Sequence, residues 1–402
     1  MGRAEDAEII IRDPAPGANQ VGVRDHNERL VLSLIQRHGS LASAEIARRA
    51  RLSPQTVSVI IRALEKDGLL IRGEPQRGKV GKPLTPVTLA PDGGLSIGCK
   101  IGRRSFDVVL MDLHGRIRHH MSRTYAYPTP GRVLDYLREG LAQIVDPLPA
   151  GLRRRITGIG IAAPFEMWNW LETVNASPAE MEAWRGLDLV AELAAMTDLR
   201  VFLSNDATAA CAAEHLFGRG REFADYAYFF VGYFVGGGVV LNDAVYPGRS
   251  GNAGAFGTLP VRDTGRPGHQ LIHNASLFLL ERALSEADED PMRIWQDADD
   301  WSGFSPQLNA WIDRAAHHLA VASVAVCSVI DFQAVLIDGG FPPPVRARLV
   351  EAVNREIAGI DCQGIARPEV REGRAGSLAR VIGAASLPLT AQFLLTGTGF
   401  AG

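Results

Sequence analysis

Residues 38–71 read HGSLASAEIARRARLSPQTVSVIIRALEKDGLLI, and their punctuation decides the fold of the first part of the chain. Ser53 suits a helix N-cap and Pro54 a first helical position, where the missing proline N–H would have had no intrahelical partner. From there Val57, Ile60, Ile61 and Leu64 fall at i, i+3, i+4 and i+7, one apolar stripe of a helix running to about Asp67. Gln55, Ser58, Val59 and Arg62 share the opposite face. Gly68 ends the helix, and residues 69–71 read as a short strand. Upstream, residues 43–50 predict a short helix with Ser43 as N-cap and Ile46 and Ala47 inward. Residues 27–38 predict another, with Leu30, Val31, Leu34 and Ile35 on one face and Gly39 as its stop. Between the second and third helices stands Arg51, at a turn position where glycine is often found because it tolerates positive φ.

Downstream, Arg77, Gly78, Lys79, Gly81, Lys82 and Pro83 lie between that strand and a second apolar run at 85–89, which predicts a hairpin with a cationic tip. Helix, helix, tight turn, helix and basic hairpin together make a winged helix-turn-helix. Such a module lays its third helix in the major groove of DNA, where side chains reach base edges. Gln55 can pair with adenine and Arg62 with guanine or a phosphate, while Thr56 and Ser58 reach phosphates or base edges. Arg77, Lys79 and Lys82 would neutralise backbone phosphates or enter the minor groove. The charge distribution agrees: residues 25–90 carry eleven Lys and Arg against six Asp and Glu, and residues 91–402 carry 28 against 35. A double-stranded DNA operator is therefore the expected partner of the first module.

Bulk properties narrow the remainder. A chain of 402 residues allows two or three domains. No apolar run approaches the roughly 20 residues of a membrane helix. Residues 1–24 read as a flexible arm without the basic start and apolar core of a secretory signal. Cys99, Cys211, Cys327 and Cys362 are scattered and form no C-x-x-C pair, which fits buried reduced thiols and a cytoplasmic protein. After a Pro91–Gly94 linker, strand-like runs at 95–101, 106–111, 156–161, 200–203, 226–231, 239–241 and 334–337 alternate with helical stretches at 132–145, 188–196, 207–216, 308–331 and 345–357. The alternation implies an α/β domain. Its size implies two lobes around a cleft.

From about Asp25 onward the chain resembles the ROK family (repressors, open reading frames and kinases), in its regulator branch of xylose and N-acetylglucosamine repressors. The resemblance rests on HNERLVLSLIQRHGSLASAEIARRARLSPQTVSVIIRALEKDGLL (26–70), GKVGKPLTPVTLAPDGGLSIG (78–98), GIGIAAPFE (158–166), VGYFVGGGVVLNDAVYPGRSGNAGAFG (231–257) and, most specifically, VFLSNDATAACAAE (201–214). It implies an actin-like, sugar-kinase-like fold of two lobes, roughly 91–206 plus the C-terminal helix and 207–385, behind a DNA-binding domain at 25–90.

The departures from the family pattern carry equal weight. Where family kinases have D-I-G-G-T-K, this chain has Lys100-Ile101-Gly102-Arg103-Arg104-Ser105. The second phosphate loop, G-T-G in kinases, is Gly232-Tyr233-Phe234. Close approach of backbone to phosphate needs small residues, so both loops are expected to have lost nucleotide. Asp206 matches the kinase general base, but a base without a positioned nucleotide transfers nothing. The A-G-E-I-G-H motif, whose Glu and His hold sugar or zinc, reads Ala253-Gly254-Ala255-Phe256-Gly257-Thr258. The zinc motif has no cysteine, and His269 and His273 alone make a poor site, so neither metal nor cofactor is expected. The family's Pro-Asn sugar contact is Pro178-Ala179 here, with Asn175 nearby.

Asn205, Asp206 and Asn175 remain as candidate effector contacts, since a carboxylate beside an amide binds hydroxyls well. The same pair can instead cap the following helix, with Asp206 at the cap. Phe256, Tyr233 and Phe234 would make the cleft more aromatic than a hexose site. The expected function is a sequence-specific transcriptional regulator, a repressor of carbohydrate-related genes. Its non-catalytic domain would assemble a homodimer or homotetramer and sense a sugar or sugar derivative. The alternatives are a ROK sugar kinase with an appended DNA-binding module, and a regulator whose cleft domain only assembles it.

Overall fold

A computed structural model describes residues 20–75, 85–165, 167, 177–261, 269–296 and 300–395. The head is built from α1 (Gln20–His38), α2 (Ser43–Ala50) and α3 (Pro54–Lys66). Val31, Ile35, Ile46, Val57, Ile61 and Leu64 bury against one another at its centre, so the apolar stripe read on α3 is the face that packs. Ser53 Oγ accepts the Thr56 amide at 3.1 Å and Pro54 opens α3, as its sequence dictates. Two local readings change. Ser43 is the first residue of α2 and not its cap; Ala42 takes the cap position without a side-chain hydrogen bond. Ala42 sits there because β1 (Leu41–Ala42) pairs with β3 (Pro86–Leu89) and fixes the entry to the helix. And α1 starts at Gln20, well upstream of residue 27 and inside the stretch expected as an arm. Antiparallel pairing of β3 with β2 (Leu70–Arg72) completes a three-stranded sheet in the order β1-β3-β2.

Arg51 caps α2 at φ 53°, in the left-handed region. A side chain is strained there by its own Cβ, and glycine is not. Arg51→Gly is expected to raise the stability of the head by about 1 kcal/mol, read as a higher urea midpoint; an unchanged or lower midpoint would show that the turn carries no strain.

The rest of the chain folds as two sheets with one topology. The first runs β6-β5-β4-β7-β8, from β4 (Leu95–Ile101), β5 (Ser105–Asp112), β6 (Ile117–Thr124), β7 (Ile156–Ala163) and β8 (Val201–Asn205). The second runs β11-β10-β9-β12-β13, from β9 (Tyr226–Val231), β10 (Val235–Leu241), β11 (Ala244–Tyr246), β12 (Ala334–Gly339) and β13 (Val370–Glu372). In each, three strands pair antiparallel and two more add in parallel. The central strands β4 and β9 are buried along their whole length, as strands covered on both faces must be, and this made them legible as apolar runs.

The helix Ala379–Phe393 lies on the first sheet and crosses the helix Asp206–Phe217. Small residues make the crossing tight. A Cβ on Gly383 would fall 1.7 Å from the Ala209 carbonyl oxygen, and one on Gly160 of β7 would fall 1.8 Å from that of Ala384. The head is packed on this layer, not tethered to it. Val31, Leu32 and Ile35 of α1 share one apolar cluster with Met111, Leu113, Leu389 and Phe393.

Candidate functional site

Two surfaces carry chemistry, and the first is α3. Gln55, Thr56, Ser58, Val59 and Arg62 are all exposed, so the face opposite the buried stripe is free to meet a ligand. Arg62 Nε donates to the Ser58 carbonyl at 3.2 Å, which holds the guanidinium along the helix. Thr56 Oγ1 lies 2.8 Å from Ser53 Oγ, at the helix start. The first turn of α3 has no acidic residue to offset its positive end, which favours a phosphate there. Arg77, Lys79 and Lys82 of the expected wing lie outside the described residues, as does Asn175.

The head is held by polar contacts as well as apolar ones. Gln36 Nε2 donates to the Leu216 carbonyl at 2.9 Å, and Arg37 reaches the Arg221 carbonyl at 3.0 Å and pairs with Asp243. On its other side, Arg155 donates to the Asp67 carbonyl at 2.8 Å.

The second surface is a cavity of about 440 Å³ between the lobes. Asn205 and Asp206 reach it from the first lobe, at the end of β8, and Ser250, Asn252 and Thr258 from the second. The two predicted residues are thus brought together, but with exchanged roles. Asn205, not Asp206, is the N-cap: its Oδ1 accepts the Ala207 and Thr208 amides at 3.0 and 3.3 Å. Asp206 is the first helical residue and its carboxylate pairs with Arg380 at 3.3 Å. Arg380 comes from one turn before the Gly383 crossing, so the tight helix contact is what delivers it. Of the three aromatics expected in the cleft, Phe234 lines it. Phe256 packs against Phe229 at 4.6 Å between ring centres in the core of the second lobe, and Tyr233, 3 % exposed, packs against Phe278 and Trp295. Ser250, Asn252 and Thr258 were not singled out from sequence; a lone polar residue in a glycine-rich loop gives no spacing signal.

Residues 103–104 and residues 233–234, from different lobes, hold each other. Lys100 is buried and its ammonium meets Asp107 of the neighbouring strand at 3.0 Å. Burial opposes ionisation of Asp107, but Lys100 and hydrogen bonds from His120 and Ser122 outweigh it and keep the carboxyl below the usual range. Arg103 places its guanidinium 4.0 Å from the centre of the Phe234 ring. Arg104 stacks 5.0 Å from Tyr233 and pairs with Glu281 of the helix Phe278–Glu286. Glu281 also accepts the Trp295 indole N–H at 2.6 Å. Burial pushes the Tyr233 hydroxyl up to about 12. These contacts bridge the first lobe to the second. Among the described residues, no group of three His, Cys, Asp or Glu side chains is gathered around a metal-sized point.

A sequence model described as the ROK family matches residues 96–391, more than half of the chain. The chain belongs to the ROK family. A second model, winged helix-turn-helix DNA-binding, matches residues 24–71, so the ROK domain here follows a DNA-binding head. The uncharacterized protein y4fQ of Sinorhizobium fredii is 26% identical over 375 residues, 91% of each chain. The N-acetylglucosamine repressor of Escherichia coli O157:H7 is 26% identical over 262 residues, and the match spans 63% of that repressor and 63% of this chain. Among solved structures, a ROK family transcriptional regulator described as a homologue of the E. coli MLC protein superposes with a TM-score of 0.65 at 20% identity. It covers 92% of this chain and 96% of its own, and it establishes the shared fold of head and ROK domain. No described helix is long and apolar enough to cross a membrane.

Proposed function

We propose that this ROK chain is a sequence-specific DNA-binding repressor, with a cleft domain that senses a small molecule and transfers no phosphate. The exposed Gln55, Thr56, Ser58 and Arg62 face of α3, on a head packed against the cleft domain, carries the DNA-binding half of this reading. The clasp of Arg103 and Arg104 on Phe234, Tyr233 and Glu281 supports the non-catalytic half, because phosphoryl transfer is mainly positioning and charge neutralisation. A relative named as the N-acetylglucosamine repressor supports a sugar derivative as the effector of the cleft and carbohydrate-related genes as the target. Asn205, Asp206, Asn175 and Asn252 are the groups we assign to it.

The helix Asp206–Phe217 offers the route between the two sites. Its first residues line the cleft and its last turn meets α1 through Gln36 and the Leu216 carbonyl. Its 12 residues span about 18 Å. An effector that prefers one lobe arrangement shifts this helix and with it the seat of the head. Two heads per assembly, as a homodimer or homotetramer, would supply the affinity that one lacks.

Purified full chain incubated with Mg-ATP and a panel of hexoses and amino sugars is expected to consume no ATP above a protein-free control. In the same panel at least one sugar derivative is expected to raise the melting temperature and to change retention of genomic DNA fragments. Turnover with any sugar would return the kinase reading. Fragment retention indifferent to every sugar would leave the cleft as an assembly domain.

A further inference from the structure

A second cavity, of about 400 Å³, lies beneath the head, remote from the cleft. One wall is α1 of the head, through Arg29; others are the far end of the helix Asp206–Phe217, through His215 and Leu216, and the C-terminal helix, through Thr390 and Ala391. Asp243 of the turn after β10 and Val245 of β11 close it. Its volume falls within the range of small-molecule sites.

The lining has a defined chemistry. Phe202, Leu216, Val245 and Leu387 make an apolar body. His215 Nε2 lies 3.0 Å from the Asp243 carbonyl oxygen, which can only accept, so Nε2 carries the proton and Nδ1 presents a lone pair. Burial lowers the affinity of this ring for a second proton, which keeps Nδ1 an acceptor. His215 Nδ1, Asp243 Oδ1 and Thr390 Oγ1 are buried without a hydrogen-bond partner. Buried polar atoms left unpaired are costly, and these three belong to residues that line one cavity. At the rim stand Arg29 and Arg200, neither of which forms an ion pair among the described residues; the Arg200 guanidinium lies 5.2 Å from the centre of the Phe202 ring.

We infer that this cavity is a second small-molecule site, independent of the cleft, for a carboxylate with a ring-sized apolar body and a hydroxyl or amino donor. The carboxylate meets Arg29 and Arg200, the ring lies between Phe202 and Leu216, and the donor reaches His215 Nδ1 or Asp243 Oδ1. Because Arg29 belongs to the head and His215 to the cleft domain, a ligand here bridges the two and biases how the head is seated.

The probe is 4-hydroxybenzoate, titrated calorimetrically into the full chain. Saturable binding with a Kd below about 1 mM is expected, weakened at least about tenfold by Arg29→Gln and abolished by Ala391→Phe, which fills the cavity. Phenol, which lacks the carboxylate, should bind at least about tenfold more weakly than the probe. Absence of saturable binding up to about 10 mM overturns the inference. So does binding that both variants leave unchanged, since the probe would then sit elsewhere, the cleft included. Circular dichroism establishes that each variant is folded; if Ala391→Phe is not, Arg29→Gln decides the matter alone.

Discussion

Arg62→Ala is expected to weaken binding to the cognate operator by roughly ten- to a hundredfold and to relax base preference at one position of each half-site. The residue is exposed on the outward face of α3, held in line by the Ser58 carbonyl, and touches no part of the head's core. Its removal therefore leaves the fold intact and subtracts only the contact with DNA. The pattern of the loss identifies the contact. A guanine contact gives a loss confined to specific sequences. A phosphate contact gives a uniform loss and reduces the salt dependence by about one unit of slope. Operator affinity unchanged in this variant would mean that α3 is not the reading helix.

Glu281→Ala is expected to cost about 3–5 kcal/mol and to lower the melting temperature by roughly 6–12 °C. The side chains of Arg104 and Glu281 are only 12% and 13% exposed, so removing the acid leaves a guanidinium and the Trp295 N–H without their shared acceptor in a dry place. The double variant Arg104→Ala, Glu281→Ala should lose less than the two single losses added together, because the residues act as a pair. A loss below about 1 kcal/mol would mark the pair as an ordinary surface bridge, not a clasp between lobes. Opening the clasp should not give ATP turnover, since Asp206 stays engaged by Arg380.

The sequence was most readable where local rules act alone. The Ser53–Pro54 start of α3, its buried stripe and the doubly covered strands β4 and β9 follow from spacing and side-chain type, without knowledge of the tertiary fold. Ser43 misled because the cap of α2 is set by pairing of Leu41 and Ala42 with β3, a contact across the chain that spacing does not encode. The strand β6 escaped notice because it is an edge strand reading IRHHMSRT, whose exposed polar residues lack the signature of burial.

In the cleft, Asn205 and Asp206 were legible as the start of a helix, but not which of the two caps it. Arg380, one turn from the crossing at Gly383, pairs with Asp206, while Asn205 caps the helix. The large residues Arg103, Arg104, Tyr233 and Phe234 were visible beside glycines in the sequence. That these large residues clasp one another across the lobes was not, because Glu281 and Trp295 lie in a helical region with no motif of its own. The matching strand order of the two sheets left no readable repeat in the sequence either, since pairing order depends on connections and not on local composition.

The most direct test of a sequence-reading regulator is a fluorescence-anisotropy titration of the full chain at physiological salt. It compares a fragment selected from genomic DNA with a scrambled duplex of the same length and composition. Binding to the selected fragment at least about a thousandfold tighter than to the scrambled one is the expected result. Equal affinity for the two would contradict it, and would reduce the head to a non-specific cation.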